Sequence, residues 1–353
     1  FEIYNSLFLK LPFDSIPQTS LLLPLFSDFC AKGYQADLSP KEIVNQFFKN
    51  FAQGMEGQNK HDLLFSFLKY IERQIVLFDA IEDAGFSYVN NMHGRGTLRY
   101  IKEVAKTNNN FTELKEYLNR FKVRIVLTAH PTQFYPGPVL GIITDLSEAL
   151  KNDDLEKINI LLTQLGKTRF FNKTKPSPLD EAVSLMSFLE NVFYKSASVI
   201  YNYLEQHIFE GKTIDNSIFD FGFWPGGDRD GNPFVTPEIT LETAKKLRFN
   251  ILRNYYRDLR MLKRKITFDQ VDQMITDLES KLYNTLFHPS KITQIDADYV
   301  IDELNQIESI LRTRHQSIYV NEIVDLRNKV KLFGFHFASL DIRQDSRVHN
   351  KVF

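Results

Sequence analysis

The chain has 353 residues, 43% of them hydrophobic and 25% charged, with a formal net charge of −1. That is globular composition, long enough for more than one structural unit, and it excludes a disordered chain. The balanced charge and the lack of a long basic run exclude electrostatic capture of nucleic acid or of an anionic membrane.

Phenylalanine is abundant (31) while glycine (15) and proline (13) are sparse, which favours long helices with few turns. No uninterrupted apolar run approaches the ~20 residues of a membrane span. The apolar stretch Leu21-Leu22-Leu23 is broken by Pro24 and followed by Asp28, so it makes a poor anchor or signal segment. The single cysteine, Cys30, excludes an internal disulfide and fits a cytoplasmic protein. The chain opens on Phe1 rather than Met and stops at Phe353 just after a charged loop, so it reads as cut at both ends.

Residues 1–120 read as a helical region. Ser39-Pro40-Lys41-Glu42 is a capping box with proline at the first helical position. A helical pattern runs from Asp62 to about Asp83, and another from Glu113 to Phe121 leads into a short apolar stretch, Arg124-Ile125-Val126-Leu127, that reads as a buried strand. Pro136–Leu150 and Leu155–Leu165 read as helices. Ser177-Pro178-Leu179-Asp180 opens a long amphipathic stretch with Leu185, Leu189, Val192, Val199 and Tyr203 on its apolar face. A second strand reads from Asp220 to Trp224. Thr236-Pro237-Glu238 caps a helix toward Lys265, whose basic tail (Arg257, Arg260, Lys263, Arg264, Lys265) complements the helix C-terminus. Val300, Leu304, Ile307 and Leu311 mark one more helix, and Phe335–Leu340 reads as a third strand. No internal repeat or low-complexity linker interrupts this order.

Each strand runs directly into a polar loop: Thr128-Ala129-His130-Pro131-Thr132, Gly226-Gly227-Asp228-Arg229-Asp230-Gly231-Asn232-Pro233, and Asp341-Ile342-Arg343-Gln344-Asp345. Strand, charged loop and helix, three times over, is the pattern of a parallel β/α enzyme, whose chemistry collects at the C-terminal ends of its strands. The expected fold class is therefore mostly α-helical α/β, with three short parallel strands buried among many helices.

The loop residues admit two readings each. His130, stiffened by Pro131 and flanked by the hydroxyls of Thr128 and Thr132, suits a general base or phosphate partner; alternatively it bonds backbone at a strand end. Asp228, Arg229 and Asp230 sit in a glycine-rich frame closed by Asn232 and Pro233. They either aim Arg229 at a ligand or brace the loop as a self-satisfied network. No third acid lies nearby, so no metal site is expected there. Arg343, flanked by Asp341 and Asp345, is either a surface ion pair or, beside two other strand-end loops, an anion clamp. One histidine and two arginines point to a small phosphorylated or carboxylated substrate.

Thr128–Thr132, Gly226–Pro233 and Leu340-Asp341-Ile342-Arg343-Gln344 together resemble three signature segments of the phosphoenolpyruvate carboxylase family, in the family's order. Lys175–Ala182 resembles a fourth. The resemblance covers the chain from about residue 120 onward. It implies an eight-stranded β/α barrel (TIM type) embedded in extra helices, with residues 121–353 holding its first three strands. It implies carboxylation of phosphoenolpyruvate by bicarbonate, through carboxyphosphate and an enolate, to give oxaloacetate and phosphate. Magnesium or manganese is implied as the cofactor, with its ligands in a part of the family's chain that this sequence does not match. A homo-oligomer is implied for the full-length protein. His130 matches the family's catalytic histidine, Arg343 a phosphate-neutralising arginine, and Arg229 with Asp228 and Asp230 a segment of site architecture and subunit contact, with Arg229 counted beside Arg343 for substrate binding. The sequence departs from the family at Gln133, where a glutamate followed by a basic pair is usual. It departs again at Leu165–Lys173, which lacks the usual tryptophan and paired arginines, so sugar-phosphate activation is not implied. This chain alone is expected to be inactive. The alternative is a non-catalytic helical scaffold or regulatory paralogue that keeps the loops for folding.

Overall fold

Caps and breakers cut the chain into helices largely where the sequence places them. The computed structural model describes residues 2–10, 19–55, 57–128, 135, 137–170, 176–214, 216–229, 232–288 and 295–352. The first stretch forms α1 (Glu2–Lys10), α2 (Thr19–Gln35), α3 (Pro40–Phe51), α4 (Gln58–Val89), α5 (Leu98–Thr107) and α6 (Phe111–Arg120), then strand β1 (Val123–Leu127). Next come α7 (Gly137–Lys151), α8 (Leu155–Lys167), α9 (Pro178–Phe188) and α10 (Tyr194–His207), then β2 (Phe219–Phe223). The remainder is α11 (Pro237–Lys265), α12 (Val271–Phe287), α13 (Ala297–Arg314), α14 (Val320–Phe333), β3 (Ser339–Leu340) and α15 (Ser346–Val352). No helix among the described residues is long and apolar enough to cross a membrane.

Both serine capping boxes form. Ser39 accepts from the Glu42 amide while the Glu42 carboxylate accepts from the Ser39 amide, and Ser177 and Asp180 do the same at the head of α9. Thr236 caps α11 as its sequence indicates. Val300, Leu304, Ile307 and Leu311 are all buried on α13.

The residues pack as two compact units, one of 1–94 with 133–173 and one of 95–132 with 174–353. In the first, Phe47, Phe67, Leu77, Ile142, Leu146 and Leu162 form the core. Arg73 of α4 is buried there and donates to the carbonyls of Leu165 (3.1 Å) and Thr168 (2.7 Å), satisfying the open C-terminus of α8.

The second unit holds the sheet. Its strands are parallel, in the order β1-β2-β3, paired from Val123↔Phe219 to Leu127↔Phe223 and then Gly222↔Ser339 and Phe223↔Leu340. Among the described residues the sheet has three strands and does not close. Ile125, Leu127, Phe221 and Phe223 face the helices, where Phe221 stacks on Phe333 of α14 at 5.0 Å. Arg124, Val126, Asp220 and Gly222 share the opposite face, as the period of two requires.

Two elements differ from their sequence reading. The third strand is two residues long, not six. Its apolar stretch instead unwinds α14: His336 and Phe337 donate to the Phe333 carbonyl, and Phe337 adopts a left-handed φ of 66° that no strand accommodates. Phe335 and Phe337 are buried plugs rather than alternating strand residues. The second difference lies between α9 and α10, where Leu189–Phe193 form a π-helical turn and the Tyr194 amide reaches back five residues to Leu189. The extra residue rotates the buried face, so Ala197, Ser198, Tyr201 and Leu204 point inward while Val192 and Val199 are exposed.

Candidate functional site

Because the strands are parallel and in register, the segments after Leu127, Phe223 and Leu340 leave the same edge of the sheet. Backbone bonds hold them together there. The Trp224 amide donates to Leu127 (2.9 Å) and the Asp341 amide to Phe223 (2.9 Å). Beyond the strands, Asp228 and Arg343 form an isolated parallel bridge, with the Arg229 amide donating to Arg343 and the Arg343 amide to Gly227. The loops after β2 and β3 are thus laced into one platform.

Two glycines make that lacing possible. Gly226 has a φ of +78°, and a Cβ there would sit 2.2 Å from the Thr243 hydroxyl. A Cβ on Gly227 would sit 2.3 Å from the Asp341 carbonyl oxygen, so only glycine lets the two loops approach.

Arg343 is held on two sides. Its Nη1 donates to Asp228 Oδ2 at 2.8 Å, and its guanidinium carbon lies 4.1 Å from the centre of the Trp224 ring. The Asp228 side chain is 5% exposed and that of Arg343 40% exposed, so the carboxylate is a buried anchor and the guanidinium reaches toward solvent. Trp224 is itself fixed, donating from Nε1 to Asp341 Oδ2 at 3.2 Å. The other Asp341 oxygen accepts from Arg124 at 2.6 Å.

Arg229 turns the other way. Its Nη2 donates to the Thr240 hydroxyl (3.2 Å), which in turn donates to the Gly226 carbonyl (2.7 Å), tying the loop to the first turn of α11. Among the described residues the Arg229 Nε is buried without an acceptor. The Asn232 side chain accepts from the Phe234 amide and shapes the turn into α11. Thr128 lies exposed just past the end of β1. His130, Thr132 and Asp230 lie outside the described residues.

Two participants were not singled out by the sequence. Trp224 read as the end of a strand, yet it is the chain's one tryptophan and directly precedes the Pro-Gly-Gly turn, which is the signal that marks it. Arg124 read only as a strand residue; an arginine inside an apolar strand on the register of Asp220 is the corresponding clue.

A divalent metal would need carboxylates to spare, and the described acids here have none. Asp228 engages Arg343, Asp341 engages Arg124 and Trp224, and Asp220 engages Arg124. No group of three metal-ligating side chains occurs among the described residues. The described residues of these loops do not fit a magnesium or manganese site.

A family model described as phosphoenolpyruvate carboxylase matches residues 87–298 and 284–353. Curated proteins named phosphoenolpyruvate carboxylase are similar to the chain. One from Psychromonas ingrahamii is 26% identical over 295 residues, covering 71% of this chain and 34% of the relative. One from Shewanella loihica is 26% identical over 284 residues, covering 68% and 32%. One from Aliivibrio salmonicida is 27% identical over 359 residues, covering 89% and 39%. The chain therefore spans between 32% and 39% of the length of these relatives.

Proposed function

The chain belongs to the phosphoenolpyruvate carboxylase family, and from that premise we propose that it forms the phosphate-gripping part of a carboxylase that joins phosphoenolpyruvate to bicarbonate. The observation that carries this reading is Arg343, anchored by Asp228 and Trp224 at the edge where three parallel strands end. An arginine set against a buried carboxylate and an aromatic ring, yet 40% exposed, suits the phosphate of a small acid, because its fork is oriented before the ligand arrives.

In the proposed sequence, phosphate passes from phosphoenolpyruvate to bicarbonate, leaving the pyruvate enolate and carboxyphosphate. His130 takes the carboxyl proton of carboxyphosphate, whose C–O bond to phosphate then breaks to release carbon dioxide and inorganic phosphate. The enolate carbon attacks carbon dioxide and gives oxaloacetate. An imidazole suits that step, since it titrates near neutrality. Arg343 counters the charge on the transferred phosphate. Arg229, braced against Thr240, serves the loop that carries Asp228. Thr128, Thr132, Asp230 and Asn232 are assigned to the architecture of the two loops.

The wider setting belongs to the same proposal: a cytoplasmic enzyme, homo-oligomeric at full length, in which β1–β3 are the first strands of a β/α barrel. Magnesium or manganese would be held by residues outside those described here. On this reading the 353-residue chain by itself releases no bicarbonate-dependent phosphate from phosphoenolpyruvate, and such release would overturn it.

Calorimetric titration of the purified chain with phosphoenolpyruvate tests the site itself. Arg343→Lys, which keeps a cation for Asp228 but loses the fork and the ring contact, is expected to weaken binding roughly tenfold. His130→Asn is expected to leave binding in place. Equal affinity of Arg343→Lys and the parent chain would refute the assignment.

A further inference from the structure

We propose that Arg124 is a positioning residue for Arg343, acting across the sheet through Asp341 and the indole of Trp224. The inference rests on the reading of Arg343 as the phosphate clamp and adds to it the device that sets the clamp's angle.

The geometry is a relay of four side chains. Arg124 of β1 donates from Nη2 to Asp341 Oδ1 (2.6 Å) and from Nη1 to Asp220 Oδ2 (3.3 Å). The second oxygen of Asp341 accepts from Trp224 Nε1 (3.2 Å), and the Trp224 ring lies 4.1 Å from the guanidinium carbon of Arg343. Arg124 and Asp341 stand on the two outer strands or their ends, so they meet only by passing over the middle strand. Gly222 allows that passage: a Cβ there would lie 3.0 Å from Arg124 Nε and 3.1 Å from Asp341 Oδ2. A glycine in the centre of a three-stranded sheet weakens the strand, and close approach of other groups is the usual reason for one.

Charge explains why the relay needs Arg124. Without it, the carboxylates of Asp220 and Asp341 share one face of the sheet with no cation between them, and repulsion turns Asp341 away. Trp224 then loses its acceptor and is free to tilt. Arg343 then loses a fixed ring to lie against, and with it one of the contacts that set its angle. The Arg124 side chain is 43% exposed, so the electrostatic effect is screened and modest.

Trp224 is the chain's one tryptophan, so its fluorescence reads the relay directly. The experiment compares Arg124→Gln, Arg124→Lys and the parent chain by tryptophan emission and by phosphoenolpyruvate titration, with thermal melts as a folding control. Arg124→Gln is expected to move the emission to longer wavelength and to weaken phosphoenolpyruvate binding roughly three- to fivefold. Arg124→Lys should recover most of both. Parent-like emission and affinity in Arg124→Gln would overturn the proposal, and so would a loss of affinity with the emission unchanged. An emission shift in Arg124→Gln, with no phosphoenolpyruvate binding by the parent chain, would support the relay while refuting the phosphate assignment of Arg343.

Discussion

At the scale of single residues, the platform is limited by space more than by charge. Gly227→Ala would drive a methyl group into the Asp341 carbonyl, and backbone cannot yield as a flexible side chain can. Destabilisation of about 1–3 kcal/mol is expected, measurable by urea unfolding. Farther from the site, Tyr255 is fully buried and donates to the Gly334 carbonyl at 2.7 Å, pinning the turn between α14 and β3. Tyr255→Phe leaves that carbonyl short of a partner, so a loss of about 1–2 kcal/mol is expected in the same assay. Beneath it, burial alone would depress the Lys329 ammonium, but the carboxylates of Asp258 and Asp325 outweigh burial and hold it above the ordinary lysine value. A raised folded pKa stabilises at all pH below the unfolded value and is lost as pH climbs through the folded one. Lys329→Met should therefore narrow its stability gap from the parent chain on strong alkalinisation, and a constant gap in alkaline denaturation curves would count against this.

Helices and strands show where sequence is a sufficient guide. Capping boxes were legible because the interaction is local: Ser39 with Glu42 and Ser177 with Asp180 lie three residues apart, and nothing distant competes. Ser39→Ala or Ser177→Ala should cost about 1 kcal/mol by thermal melting. The carboxyls of Glu42 and Asp180 are held below the ordinary carboxylate value, first by the serine hydroxyl and then by the serine amide. Their contribution is thus present above the unfolded pKa and fades as pH falls through the folded one. Comparing Glu42→Gln with the parent chain should show a stability difference at neutral pH that disappears in acid. β1 and β2 were legible too, since each is a short apolar run bounded by polar residues. Phe335–Leu340 carried the same local pattern, yet only Ser339–Leu340 is strand and the rest is a turn, because its aromatic rings pack against Tyr255 and Phe333 in a core that only the folded unit creates. The π turn at Leu189–Phe193 had no local signal, for the shift of face is decided by what Tyr201 and Leu204 meet across the core. In the site, Arg343 and Asp228 were legible as loop residues, but their pairing with each other and with Trp224 depends on strand register, which spacing along the chain does not encode.

For the whole molecule, two units with separate cores imply separate unfolding events. Leu162 and Leu304 are fully buried, one in each core. Calorimetry should resolve two transitions, with Leu162→Ala lowering one and Leu304→Ala the other, each by about 2–5 kcal/mol. A single transition that both substitutions shift alike would contradict this. The open sheet adds a second expectation. β1 and β3 each present an unpaired edge among the described residues, so light scattering should show mass rising with concentration, and a flat monomer mass would refute it. The discontinuity of the first unit also bears on biosynthesis. Residues 95–132 are translated between its two pieces, so a nascent chain on the ribosome carries β1 exposed while 133–173 rejoin the first unit. Ile125, Val126 and Leu127 must then wait until Phe219–Phe223 has left the exit tunnel. That tripeptide is a stretch for a co-translational chaperone to shield.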